Sequence, residues 1–336
     1  MSDKHPRRHQ GDPVGDKLFL LFKSDQGLLQ QFRDLKTNAE LSSFISANSS
    51  VYELLENFCQ IESHDNKRIN NGAIFFEKNV SVILGVLGLY SLPYCYAGAN
   101  GARVLIESKK ITEQSGKRLA ETAEFVFEVC HKDAFAPDQK GFLSILNVRV
   151  MHAAARYYTR GKINDEVPVN QDDQLATLLA FSLITLRGLR KLGIDVNQQE
   201  SEDYLYLWNV IGEKLGLDQG NLPGDVRQAS ALDRDMRRRE FKQSSQGQLL
   251  TRSLIDYIDQ ENKQSRLVKG EDLLYYFLGD HAAILGINQS SVYSPSLIRG
   301  VFNTQKVLGD LNGTNFKMIR RDLKKQLKAL DAELRF

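Results

Sequence analysis

The sequence predicts an all-α protein, folded as a single large helical domain. Three observations predict it. Proline is scarce, with seven in 336 residues. Alternating apolar and polar runs bounded by turn dipeptides, the mark of strands, are nearly absent. Apolar residues instead recur at helical spacing in one segment after another, several of them bounded by capping residues and glycines.

Taken in order, residues 1–15 are polar and read as a disordered tail. That leaves 16–336 as one domain, without an internal repeat or a clean linker. Residues 17–32 form the first expected helix, with Leu18, Leu21, Leu28 and Phe32 available for burial, and 50–61 the second. Residues 72–90 make a strongly apolar helix. In it Gly85 and Gly88 permit close approach of a neighbour, at about 1 kcal/mol of helix propensity each. The longest apolar stretch, 80–96, is interrupted by Ser81, Ser91 and Pro93, so a buried helix suits it better than a membrane span. Residues 92–101 break that helix, and a short one, 102–107, follows.

The next helix, 115–130, places Arg118, Glu121, Thr122 and Phe125 on one face. Three polar groups in line are either a solvated stripe or the polar edge of a pocket. Residues 141–160 are apolar nearly all round, which predicts a central, buried helix. Asn170 to Asp173 cap a helix over 174–192 that stops at Gly193, and 201–216 holds the single tryptophan, Trp208. Residues 222–243 change character. The dense charges from Asp233 to Glu240 read as an exposed connection or helix end, less readily as an anion-binding edge. Amphipathic helices over 246–260, 270–285, 294–311 and 315–336 complete the chain. The last carries leucines along one side and more basic than acidic residues. It either packs on its own domain or makes a peripheral contact with a membrane surface.

Hydrophobic residues make up 42% and charged residues 26%, an ordinary balance for a soluble globular protein. A net charge of +2 gives no electrostatic case for nucleic acid. Cys59, Cys95 and Cys130 are widely spaced and form no CxxC pair. This argues against a disulfide framework or a zinc ribbon and fits a reducing compartment. Arg7-Arg8 is like a twin-arginine signal, but no hydrophobic segment or cleavage site follows it, so the expected location is cytoplasmic.

The helix over 141–160 carries the run Asn147-Val-Arg-Val-Met-His152-Ala-Ala-Ala-Arg156. His152 stands one turn from Val148 and Arg149 on one side and from Ala155 and Arg156 on the other. Flanking alanines let a flat group lie close to the imidazole, and two arginines supply fixed charge suited to carboxylates. A haem-iron ligand with propionate partners has these requirements. A buried histidine bonded to a backbone carbonyl uses the same residues. No CxxCH is present, so any haem would be held non-covalently. The other histidines have plainer readings: His5 and His9 in the tail, His64 in a polar turn, His131 at a helix end, and His281 on a helix surface or supporting a site.

Arg118, Glu121 and Thr122, followed by His152 within Val-Arg-x-x-His-Ala-x-x-Arg, resemble the latex clearing proteins, which are rubber oxygenases. Their superfamily includes the fungal ER-bound oxygenase of mycophenolic acid biosynthesis. Ser91-Leu-Pro-Tyr-Cys-Tyr-Ala is similar to the family's Leu-Pro-x-x-Tyr-Ala turn. Val169-Asn-Gln-Asp-Asp173 with Thr177, Phe181 and Ser182 is similar to its Asn-Gln-x-Asp helix, and Trp208 with Gly212 to its Trp-x-x-x-Gly helix. The likeness is strongest over 70–220.

The resemblance implies a mostly helical fold with a globin-like core around haem b. His152 would be the proximal iron ligand, and Arg118 and Thr122 would be distal residues that position dioxygen. It implies an oxygenase acting on an unsaturated, hydrophobic small molecule, isoprenoid or lipid-like. Glu121 departs from the lysine of latex clearing proteins and would serve as a base if burial raised its pKa. Glu107 is a second candidate base. That departure, with no export signal in view, puts rubber itself in doubt as the substrate. Arg149 and Arg156 either meet the haem propionates or hold neighbouring helices. Two other readings stay open: a haem-binding or sensing protein without turnover, and a haem-free helical scaffold.

Overall fold

The protein is all-α, as expected. Among the described residues there is no strand, and a single isolated bridge joins Gly98 to Phe241. The computed structural model describes residues 5–107, 115–162, 167–261, 268–289 and 294–300, together with Phe302, Arg321 and Lys325. The expected helix over 315–336 and most of that over 294–311 fall outside these residues. The contacts resolve into two compact units, each assembled from three separate stretches of chain. A division of this kind leaves no linker in the sequence. Among the described residues one helix, Asn66–Tyr96, is long and apolar enough to cross a membrane by length and composition, and 61% of its apolar window is buried inside the protein.

The first unit comprises residues 1–77, 125–178 and 202–225. Its N-terminal part folds, where disorder was expected over 1–15. Pro6–His9 is a turn of 3-10 helix, and Arg7 and Arg8 pair with Asp172 and Asp173 at 2.7 and 3.4 Å. Polar composition reads as disorder until such pairs are seen. The helix expected over 17–32 is two, Pro13–Ser24 and Gln26–Asp34, because Asp25 turns its carboxylate onto the Leu28 N–H at 2.9 Å and so caps a new start. Their apolar sides supply a cluster of Phe22, Phe32 and Phe44 rings.

Asn38, from the next helix (Asn38–Ala47), secures the start of Gly141–Thr159. Its Oδ1 accepts from the Phe142 and Leu143 N–H groups, and its Nδ2 donates to the Ala134 and Ala136 carbonyls. It thus caps, from another helix, donors that no residue of their own helix satisfies. Trp208 and Tyr204 on Gln198–Lys214 are almost wholly buried, as the apolar pattern of that helix requires.

The second unit comprises residues 78–124, 179–201 and 226–336. The break expected over 92–101 falls at Ala97 and Gly98, between Leu92–Tyr96 and Ala99–Glu107, and a wide turn precedes it. Helix Asn66–Val86 runs into a π-helical segment, Leu87–Ser91, and on into Leu92–Tyr96, with Pro93 placed where its missing N–H does no harm. A second π-helical segment, Ala180–Ile184, separates Gln171–Leu179 from Thr185–Lys191. The Ser91 hydroxyl donates to the Ala180 carbonyl at 2.6 Å, satisfying an acceptor that such a turn exposes. That last helix stops at Gly193, whose φ of +81° is the expected left-handed stop.

The charge run is not an exposed connection. It lies on a helix, Val226–Glu240, in which Asp233 is buried and held by Arg187 (2.6 Å), Arg237 (3.2 Å) and the Tyr94 hydroxyl. A carboxylate out of water needs such partners. Ser245–Glu261, Gly270–Leu278 and the 3-10 turn Gly279–Leu285 complete the unit.

Candidate functional site

In the first unit, His152 sits midway along Gly141–Thr159 and is half-buried. Ala153 beside it is fully buried, and Ala154 and Ala155 are half-buried, so the three positions after the imidazole carry only methyl groups. The helix is less enclosed than its composition predicts. Its buried side carries Arg149, Ala153 and Arg156, while Met151, Tyr157 and Tyr158 are exposed.

Of the two roles open to the arginines, their contacts are those of holding neighbouring helices. Arg149 donates through Nε and Nη2 to the two oxygens of Asp12, both at 2.7 Å, and its Nη1 reaches the Lys214 carbonyl. Arg156 donates to Asp16 at 2.6 Å and to the Val169 carbonyl at 3.2 Å. Both hold the N-terminal helix against Gly141–Thr159. Asp12 also caps its own helix by accepting the Gly15 N–H at 3.0 Å. Glycine is required beside this carboxylate. A Cβ at Gly216, where φ is +97°, would stand 2.4 Å from Asp12 Oδ2, and one at Gly15 would stand 2.3 Å away.

In the second unit, Arg118, Glu121 and Thr122 lie on Ser115–Cys130. Arg118 and Thr122 are half-buried and Glu121 is exposed, so the burial that a base role for Glu121 requires is not supplied. The Thr122 hydroxyl donates to the Arg118 carbonyl at 2.8 Å. Its proton is thus directed into its own helix. Tyr96 is close enough for the Arg118 charge to act on it: burial pushes the phenol up from its ordinary range, Cys95 adds to that, and Arg118 opposes it. Glu107, the second candidate base, is half-buried at the end of Ala99–Glu107.

Thr122 lines an apolar cavity of about 190 Å³, built from Leu84, Leu87 and Leu92, from Gly116, Leu119, Ala120 and Ala123 of its own helix, and from Tyr257. Tyr257 is the lining residue that sequence reasoning overlooked, since nothing local marks it. The succession Gly116, Ala120, Ala123 was a legible signal, because small residues at helical spacing leave room on one face.

Among the described residues no group of three or more His, Cys, Asp or Glu side chains is placed to hold a metal ion. A histidine with alanines after it fits haem, whose porphyrin would supply the remaining nitrogen ligands itself. Other motif residues do structural work. The Asn170 carbonyl oxygen caps the Asp173 N–H at 3.0 Å, and Gly212 lets Leu178 pack within 3.0 Å of where a Cβ would stand. His281 accepts from the Arg237 guanidinium at 3.1 Å, a supporting role. His131 is buried, and His64 pairs with Glu213 at 3.0 Å.

These features define an all-helical protein of the latex clearing protein type. A solved structure of latex clearing protein in the closed state superposes with a TM-score of 0.72, at 16% sequence identity, over 97% of this chain and 92% of that one. The chain belongs to the family described as ER-bound oxygenase mpaB/B'/Rubber oxygenase, catalytic domain, whose profile matches residues 78–281. The rubber oxygenase of Streptomyces sp. (strain K30) is 23% identical over 214 residues, which cover 61% of this chain and 52% of that protein. The chain thus spans about half the length of this curated relative.

Proposed function

We propose that this protein is a haem b-dependent oxygenase that uses dioxygen to oxygenate or cleave a carbon–carbon double bond in a hydrophobic, isoprenoid or lipid-like molecule. The observation that carries this reading is His152: half-buried, flanked by alanines, in a chain of a family described by its oxygenases. Haem, when bound, supplies an iron centre able to react with dioxygen. His152 would hold the group through an imidazole nitrogen. Arg149 and Arg156, already engaged by Asp12 and Asp16, leave its propionates to other cations.

The remaining chemistry belongs to the chain's own residues. The apolar cavity keeps water from the substrate's hydrocarbon and orients it beside Thr122. Thr122 contributes lone pairs, because its proton is directed to the Arg118 carbonyl. The Arg118 guanidinium supplies N–H donors and a fixed positive charge, effective where solvent is excluded.

The test is the absorption spectrum of the purified protein, oxidised and reduced. A Soret band that His152→Ala loses, while Arg149→Lys keeps it, supports the reading. A colourless wild type refutes it. A second reading, haem binding without turnover, is favoured by Glu121 in the place of a lysine. It requires the Soret band with no oxygenated product from any alkene under oxygen.

A further inference from the structure

We propose that the cavity beside Thr122 measures substrate length, and that Tyr257 is its specificity-determining wall. It takes one short branched hydrocarbon group, so the favoured substrates are small branched alkenes. The identity of the bound class rests on the oxygenase reading; the binding itself does not need the cofactor.

Gly116, Leu119, Ala120 and Ala123 fall at i, i+3, i+4 and i+7 of Ser115–Cys130 and share one face. Three of the four are glycine or alanine, so this face recedes. Leu84, Leu87 and Leu92 line the cavity from another helix, and Thr122 is among the lining residues. Tyr257, from Ser245–Glu261, packs against the start of the helix. A Cβ added at Gly116 would stand 2.4 Å from one ring carbon and within 3.0 Å of two others. Tyr257 and Thr122 thus mark opposite ends of the groove. Six residues of helix separate Gly116 from Thr122, about 9 Å at 1.5 Å per residue.

Volume gives the same limit. An apolar cavity of about 150 Å³ holds a benzene-sized ligand. At about 190 Å³ this one admits little more. A double bond held near Thr122 has room for a single branched unit towards Tyr257, and a longer chain meets the ring.

Calorimetric titration of the full chain with 2-methyl-2-butene, geraniol and farnesol, which carry one, two and three isoprene units, tests the proposal. The wild type should bind the first, and geraniol and farnesol each roughly tenfold more weakly. Tyr257→Ala should remove that gap. Ala123→Phe, which fills the cavity from the other end, should abolish binding of all three. Equal affinity for 2-methyl-2-butene and geraniol in the wild type overturns the proposal, as does a folded Tyr257→Ala protein with the wild-type ranking. If Tyr257→Ala does not fold, Tyr257→Leu carries the same expectation, and undiminished binding by Ala123→Phe is decisive against it. The Soret band is read on the same samples. Length-ranked binding without that band defeats the haem reading and leaves the cavity standing; the band without alkene binding does the reverse.

Discussion

Arg149 grips Asp12 through two hydrogen bonds of 2.7 Å each, between residues 137 positions apart in the chain. The pair is nearly out of water, and the same carboxylate caps the helix that follows it. It fastens the N-terminal segment to the helix that carries His152.

Asp12→Ala should therefore lower stability by about 3–5 kcal/mol, since it leaves a buried guanidinium uncompensated. Urea unfolding measures this. The double variant Asp12→Leu/Arg149→Met should be less destabilised than Asp12→Ala alone. The reverse order would mean that the ion pair itself, and not relief of a buried charge, dominates.

Glu121 is exposed on its helix. Glu121→Gln should leave the oxygenation rate within about threefold of wild type, whereas removing a working general base lowers rates by about 10²–10⁴-fold. Turnover of geraniol under oxygen distinguishes the two. Thr122→Val in the same assay should lower turnover while leaving the melting temperature nearly unchanged.

His281 accepts from Arg237, which only a neutral imidazole can do. Burial, then the Arg237 charge, pushes its pKa below the ordinary 6.5; Asp233 and Asp280 oppose this and Lys191 adds to it. The unfolded chain therefore takes up this proton first as pH falls. The contribution to stability is present above about pH 6.5 and is lost as pH drops through the folded value. Urea midpoints at pH 7.5 and 5.5 should differ more in wild type than in His281→Gln. Equal differences would remove His281 from the account.

Burial pushes the Cys59 thiol up to about 12, against the opposing charge of Lys214. Thiolate at pH 8 should then be scarcer than in an unperturbed cysteine by about three orders of magnitude. Peptide mass spectrometry after iodoacetamide should find Cys59 unlabelled in the folded protein and labelled in urea. Rapid labelling without denaturant would contradict the thiol's enclosure.

The helical class was legible because periodic apolar residues and local caps are short-range signals. Asn170 before its helix and Gly193 after the next act within a few residues of themselves. What escaped depends on distant partners. Arg7, Arg8 and Asp12 look like a polar tail until Asp172, Asp173 and Arg149 are brought to them. Asp233 looks solvated within its charge run until Arg187 and Tyr94 close over it. At the candidate site Thr122 was marked by its motif, while Gly116, Ala120 and Ala123, on another face of the same helix, stand at a helical spacing that went unread. Tyr257 was unmarked, because a ring that packs on Gly116 from another helix leaves no local pattern.

The wide turn at Leu87–Ser91 has a bearing on how this cavity can change over time. Leu84 and Leu92 are eight positions apart, which in a regular helix would set them about 80° out of phase. A π turn absorbs about one extra residue, returning Leu92 to the phase of Leu84. Deleting a single residue between 87 and 91 would straighten the turn yet leave Leu92, then seven positions on, within about 20° of Leu84, whereas inserting one more would swing Leu92 about 80° off the lining. The chamber's lining is thus tied to residue count in this segment: it tolerates the loss of a position there and not the gain of one.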